Sequence, residues 1–197
     1  MAVTDRERWD ARHAVAGVGQ PAPPDALRGR EDLLPAGGRA LDVACGRGSV
    51  AVWLAARGFV VDAVDVSPVA LAAGAALAAA QDVEVAWHVA DLDAGLPAAC
   101  TGPYDLVVCQ RFRDPRLYPA FARLLAEGGL LVLTVLSEVD DEPGPFRAGP
   151  GELAAAFPGL DVLTHEEGDG AATLLARRRE VTPGAVPGSP PAPPAPS

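Results

Sequence analysis

Apolar residues in this chain fall into two alternating rhythms. Residues 39–44 form a nearly unbroken apolar run, and residues 59–64 form a second, rich in β-branched side chains. Such runs suit strands buried on both faces of a parallel sheet. Between them, residues 49–57 have helical length and stop at Gly58, a residue suited to ending a helix. A second helix is predicted over 67–80, with Ser67 as its N-cap and Pro68 at its first position. Residues 83–89 alternate polar and apolar and predict a third strand. A fourth strand over 106–109, a helix opened by Asp114-Pro115 and ended by Gly128-Gly129, and a fifth strand over 130–136 continue the order. The charged segment 4–16, which contains Trp9, is predicted helical. The Gly/Pro-rich stretch 17–25 reads as a loop.

Beyond residue 136 the rhythm changes. Residues 137–149 are acidic, then rich in proline and glycine, with no regular period. A short helix over 152–157 precedes two strands, 160–165 and 171–177, close enough to predict an antiparallel hairpin. Residues 182–197 are mostly Pro, Gly, Ala and Ser and predict a disordered tail. The expected fold is α/β: a three-layer αβα sandwich, Rossmann-like, with a mostly parallel seven-stranded sheet and a C-terminal antiparallel hairpin.

Composition narrows the partners. A chain of 197 residues, 49% of them hydrophobic, suffices for one α/β domain. Its formal net charge of −10 repels nucleic acid and anionic lipid, so neither is expected as a partner. Cys45, Cys100 and Cys109 form no CxxC pair, which predicts neither a disulfide framework nor a metal site. Residues 1–10 are charged and lack an apolar export segment, and the alanine-rich stretch 69–80 is too short to span a bilayer. A cytoplasmic protein, monomeric or homodimeric, is expected.

The candidate chemistry gathers at predicted strand ends, where ligands of open α/β sheets bind. The first strand runs into Ala44-Cys45-Gly46-Arg47-Gly48, and a helix begins at once. The glycines permit a tight turn and close approach of a ligand, and the helix N-terminus offers free N–H groups. Asp42, just before this turn, adds nothing to a phosphate site but suits a ligand with a cationic end. Asp65 ends the second strand, where a carboxylate can accept both hydroxyls of a ribose or simply start a turn. Asp91 follows the third strand, placed to accept from an adenine amine or to form an ordinary Asx turn. Val66 and Leu92 are apolar neighbours able to sandwich such a ring. Gly46 to Ala51 also fits the loose dinucleotide pattern, which leaves a nicotinamide-dependent oxidoreductase open.

Three stretches carry a resemblance: Leu41-Asp42-Val43-Ala44-Cys45-Gly46-Arg47-Gly48, Val64-Asp65-Val66-Ser67-Pro68 and Ala90-Asp91-Leu92. They are joined by Tyr104-Asp105-Leu106-Val107-Val108 and Leu125-Ala126-Glu127-Gly128-Gly129-Leu130. The chain resembles the class I S-adenosylmethionine-dependent methyltransferases over residues 9–178. Trp9-Asp10-Ala11-Arg12, Gln110-Arg111-Phe112 and Pro150-Gly151-Glu152-Leu153 make it most similar to the tellurite-resistance and thiopurine-methyltransferase-like branch.

That resemblance implies S-adenosylmethionine as cofactor and a small-molecule acceptor. It implies an N-terminal helical segment and loop, 1–30, over the cofactor site of a methyltransferase domain, 31–180, followed by the tail, 181–197. The implied cofactor contacts are Arg12, Asp42, Ala44, Cys45, Gly46 and Gly48, then Asp65, Val66 and Ser67, Asp91 and Leu92, and Cys109, Gln110 and Arg111. Ala44 stands where the family has a glycine. His13 stands where the branch has a tyrosine. Arg113-Asp114-Pro115-Arg116 and Leu133-Thr134-Val135-Leu136 also depart from the branch, both on the acceptor side. A cofactor-binding module without turnover therefore stays open beside the enzyme. His13 and Arg111 are the candidate catalytic residues, His13 as a base and Arg111 as an anion-holding group. His88, inside a strand, is expected to be structural.

Overall fold

The computed structural model describes residues 2–17 and 19–180; the predicted tail lies outside them. Its strands are β1 (Gly38–Val43), β2 (Phe59–Asp65), β3 (Ala86–Val89), β4 (Tyr104–Gln110), β5 (Leu125–Ser137), β6 (Arg147–Ala148), β7 (Leu160–Gly168) and β8 (Ala171–Arg178). They form one sheet in the order β3-β2-β1-β4-β5-β8-β7, with the short β6 beside β5. β8 runs antiparallel to β5 and β7, and the other pairs are parallel. The helices are α1 (Ala2–Ala14), α2 (Ser49–Ala55), α3 (Pro68–Ala80), α4 (Tyr118–Leu124) and α5 (Glu152–Ala156).

Strand side chains alternate between two cores, as the two-residue period of a strand requires. Leu41, Val43, Val107 and Leu131 share one core with Tyr118 and Phe121 of α4 and Leu153 of α5. Ala40, Val61, Leu106 and Val132 share the other with Trp53 and Leu54 of α2. β1 pairs with both β2 and β4, so the strand order reverses at its carboxyl end and opens a crevice there.

Most predicted elements are present, with three differences. β3 begins only at Ala86, and its Trp87 fills a gap left by two glycines. A Cβ on Gly48 would come within 2.4 Å of the Trp87 ring, and one on Gly74 within 2.6 Å. The helix predicted to reach Gly128 stops at Leu124. Leu125 turns extended and pairs with Tyr104, and burying both completely outweighs a last helical turn. The predicted irregular stretch after residue 136 contributes an eighth strand, β6.

Ser67 caps α3 as expected, accepting from the Ala70 N–H at 3.0 Å. The β3–β4 connection carries only one 3-10 turn, Leu92–Ala94, and no α-helix. Beside it, Asp62 of β2 accepts from Arg39 at 3.1 Å, His88 at 2.9 Å and Tyr104 at 2.9 Å. His88 is thus structural, as its position in a strand predicted.

Candidate functional site

The turn after β1 alternates left-handed residues: Ala44 at φ 54°, Gly46 at 53° and Gly48 at 71°. Ala44 holds this conformation at a cost of about 1–2 kcal/mol. Backbone bonds hold the turn: the Cys45 N–H donates to Val64 at 3.0 Å, and the Gly48 N–H to Cys45 at 3.0 Å. Asp65 ties the turn to β2. One carboxylate oxygen accepts from the Gly46 N–H at 2.8 Å, the other from the Ser67 N–H at 2.9 Å.

Helix α1 lies over this turn and is anchored twice. Arg47 donates to the carbonyls of His13 at 2.6 Å and Ala16 at 3.2 Å, closing the carboxyl end of the helix. The Ser67 hydroxyl donates to Asp10 at 2.5 Å. Trp9 stacks on His13 with ring centroids 5.8 Å apart, and the Arg12 guanidinium lies 5.3 Å from the Trp9 ring. The His13 ring sits above Gly46, where its Cε1 is 3.7 Å from an added Cβ. Burial, then Arg47 and Arg12, lowers the His13 pKa against the pull of Asp65, so the imidazole is neutral at pH 7.

Between α1 and the strand ends lies a cavity of about 590 Å³, in the range of small-molecule sites. Asp42, Ala44, Cys45 and Gly46 form its floor. Asp65, Val66, Asp91 and Leu92 form one side; Gln110 and Arg111 form the other, under Arg12 and His13. Twelve sequence-predicted residues thus meet at one opening.

Three predicted residues do not line it. Gly48 backs onto Trp87, Ser67 is wholly buried in its capping role, and Cys109 lies in the core with its thiol toward the Phe112 carbonyl. Sequence reasoning missed Asp5, Trp9, Ser49, Val50, Asp93, Phe112 and Leu136, all in the wall. Trp9 had a signal, a single aromatic on a charged helix; Leu136 had none, because it reads as one more strand residue.

The electrostatics of the floor are uneven. Asp42 is 3% exposed and its Oδ2 has no hydrogen-bond partner among the described residues. Burial pushes its pKa up to about 8; the Ala51 N–H opposes the shift and Asp65 adds to it. Burial also raises the Cys45 and Cys109 thiols, with Asp42 adding to both, which leaves neither a nucleophile. Asp91 lines the cavity and also accepts from the Asp93 N–H at 3.0 Å, so the Asx turn is present as well. Arg111, largely exposed, faces Asp25 at 3.4 Å, and Arg28 approaches the same carboxylate at 3.2 Å.

Of the two acceptor-side departures, the second places Leu136 in the cavity wall, and the first, Arg113-Asp114-Pro115-Arg116, makes ion pairs. Arg113 holds Glu152 through two bonds, at 2.8 and 2.6 Å, and Asp114 caps the Arg116 N–H while pairing with its guanidinium. In the acidic run after β5, Asp141 pairs with Arg147 at 2.6 Å.

Residues 40–129 match the family described as methyltransferase domain. That stretch, just under half of the chain, is similar to methyltransferase domains. The matched stretch covers the turn, Asp65, Asp91 and the β4 end. A ubiquinone biosynthesis O-methyltransferase from Xanthomonas oryzae pv. oryzae is 34% identical over 140 residues, 66% of this chain and 56% of that protein. The chain spans about half the length of the curated relatives it matches. Among solved structures, TehB from Haemophilus influenzae is similar with a TM-score of 0.67 at 20% identity, over 79% of this chain and 62% of that one. An S-adenosylmethionine-dependent methyltransferase from Clostridium acetobutylicum gives 0.62 at 16% identity, over 78% and 89%. Among the described residues no helix is long and apolar enough to cross a membrane.

Proposed function

We propose that the protein transfers a methyl group from S-adenosylmethionine to a small-molecule acceptor by in-line displacement. The observation that carries this reading is the unpartnered, buried Asp42 oxygen on the floor of the cavity. A polyphosphate gains nothing from a carboxyl group there, whereas a ligand with an ammonium, a ribose and an adenine suits Asp42, Asp65 and Asp91 in turn. Bound there, the cofactor supplies an electrophilic methyl group on a sulfonium.

The residues then take these roles. Asp65 accepts ribose hydroxyls with the lone pairs left over from Gly46 and Ser67. Asp91 and the Leu92 amide meet adenine, with Val66 and Leu92 against the ring. Asp42 receives the amino group, and Ala44, Cys45 and Gly46 let the chain pass close to the ligand. Arg12, which faces no carboxylate within 4 Å among the described residues, is free for the ligand's carboxylate.

The acceptor enters beside Gln110, Arg111, Phe112 and Leu136, an apolar mouth with one cation. The chain contributes alignment, an effect that reaches roughly 7–11 kcal/mol in well-oriented systems. His13 covers the Gly46 turn beside Asp65, which favours a role in closing the site over a role as base. The printed names of the sequence relatives favour an oxygen acceptor. The acidic surface favours a small molecule over nucleic acid. Free thiols at Cys45, Cys100 and Cys109 fit a reducing cytoplasm.

The test is release of labelled methyl from S-adenosylmethionine across a panel of phenols and catechols, with Asp65→Ala as control. Product formation is expected with at least one acceptor, together with cofactor affinity at least tenfold weaker in a folded Asp65→Ala. Unchanged affinity in that variant would remove the ribose assignment. Tight cofactor binding with no transfer across the panel would favour a binding module instead.

A further inference from the structure

The cavity floor holds two carboxylates with very different prospects. Both oxygens of Asp65 already accept backbone N–H groups. Asp42 Oδ2 accepts nothing from the described residues, though it is shielded from water. A buried carboxylate with a single backbone donor and one oxygen unpartnered is too costly to keep ionised, so it keeps its proton. Asp42 is therefore a neutral acid in the free protein at pH 7, in accord with its raised pKa.

From this geometry we infer that Asp42, assigned above to the cofactor's ammonium, holds a proton in the free protein and surrenders it to solvent when the amine settles over it. The inference rests on the cofactor reading above and adds a proton to it. The bookkeeping is closed: the carboxylic O–H breaks, the proton leaves to buffer, and the carboxylate then accepts an N–H from the ammonium. No bond to carbon changes. The pairing compensates the buried charge, which a neutral ligand cannot do.

The titratable groups facing Asp42 are Asp65 from β2, Cys45 from the turn and Cys109 from β4; Ala51 of α2 offers only its N–H. His13 of α1 faces Asp65, Arg47, Arg12 and Asp10. Both thiols are raised and His13 is lowered, so all three are neutral at pH 7. Asp42 is left as the group whose proton a cation displaces there.

Calorimetry with the full chain tests this, titrating S-adenosylhomocysteine in two buffers of different ionisation enthalpy. About one proton released per ligand is expected at pH 7, falling toward none above pH 9. Affinity should strengthen by up to about tenfold per pH unit between pH 7 and 8. Methylthioadenosine, which lacks the amino-acid end, should bind without releasing a proton, and so should S-adenosylhomocysteine with Asp42→Asn.

If that variant does not fold, infrared difference spectroscopy of the wild type decides. The carbonyl band of a protonated carboxyl should disappear when S-adenosylhomocysteine binds. Binding at pH 7 without proton release, or with that band intact, overturns the inference and leaves the cofactor reading standing. No binding of S-adenosylhomocysteine at any pH overturns both.

Discussion

Asp42 and Asp62 stand one register step apart on adjacent strands: Leu41 pairs with Asp62, and Asp42 with Ala63. Their side chains fall on opposite faces of the sheet, and both are buried. Asp62 has three donors from three directions, and its pKa is lowered: the bonds from His88, Tyr104 and Arg39 together outweigh desolvation. Asp42 has an oxygen with no donor, and desolvation wins. The satisfied carboxylate belongs to the scaffold, where it fills in for a crossover helix the chain does not build. The unsatisfied one belongs to the site, because none of the described residues completes it.

The two carboxylates differ most in what their removal costs in stability. Asp62→Ala leaves Arg39, His88 and Tyr104 without their shared acceptor and should cost about 3–5 kcal/mol. Urea unfolding checks this, and S-adenosylhomocysteine affinity in the folded fraction should stay within threefold. The two glycines of the turn repeat the contrast. Gly48→Ala drives a methyl into the Trp87 ring at a left-handed position and should cost about 2–4 kcal/mol. Gly46→Ala has room below His13 and should cost only about 1–2 kcal/mol of stability. Its methyl group projects toward the cavity, so its larger effect should be on cofactor affinity.

The two aspartates also give stability opposite slopes with pH. The folded protein keeps the Asp42 proton up to about pH 8, while the unfolded chain loses it near 3.8. Across that window the folded state binds more protons, so Asp42 lowers stability as pH rises. Asp62 stabilises above the ordinary carboxylate range, and its contribution is lost as pH falls through its lowered pKa. In ligand-free protein, Asp42→Asn should therefore gain roughly 3–4 kcal/mol over the wild type between pH 5 and pH 8. Denaturation midpoints at the two pH values measure this.

Strand-and-turn patterning made most of the fold readable. Buried strands such as Leu106–Cys109 announce themselves by composition, and Ser67-Pro68 by capping chemistry. The end of α4 was not readable, because Leu125 chooses a strand for the sake of Tyr104, a partner 21 residues earlier along the chain. At the site, the strand-end aspartates and the glycine turn were visible because their positions are local to motifs. Phe112 and Leu136 were not, since what places them in the cavity is the assembly of β4 and β5. Gly48 looked like a ligand-facing glycine until Trp87 claimed the space beside it.

The central claim is that this crevice holds S-adenosylmethionine chemistry and not a dinucleotide. Calorimetric titration at pH 7.5 with S-adenosylhomocysteine, and separately with NADH, tests it most directly. The account predicts one S-adenosylhomocysteine per chain and no heat of binding from NADH; saturable NADH binding with none of S-adenosylhomocysteine would contradict it.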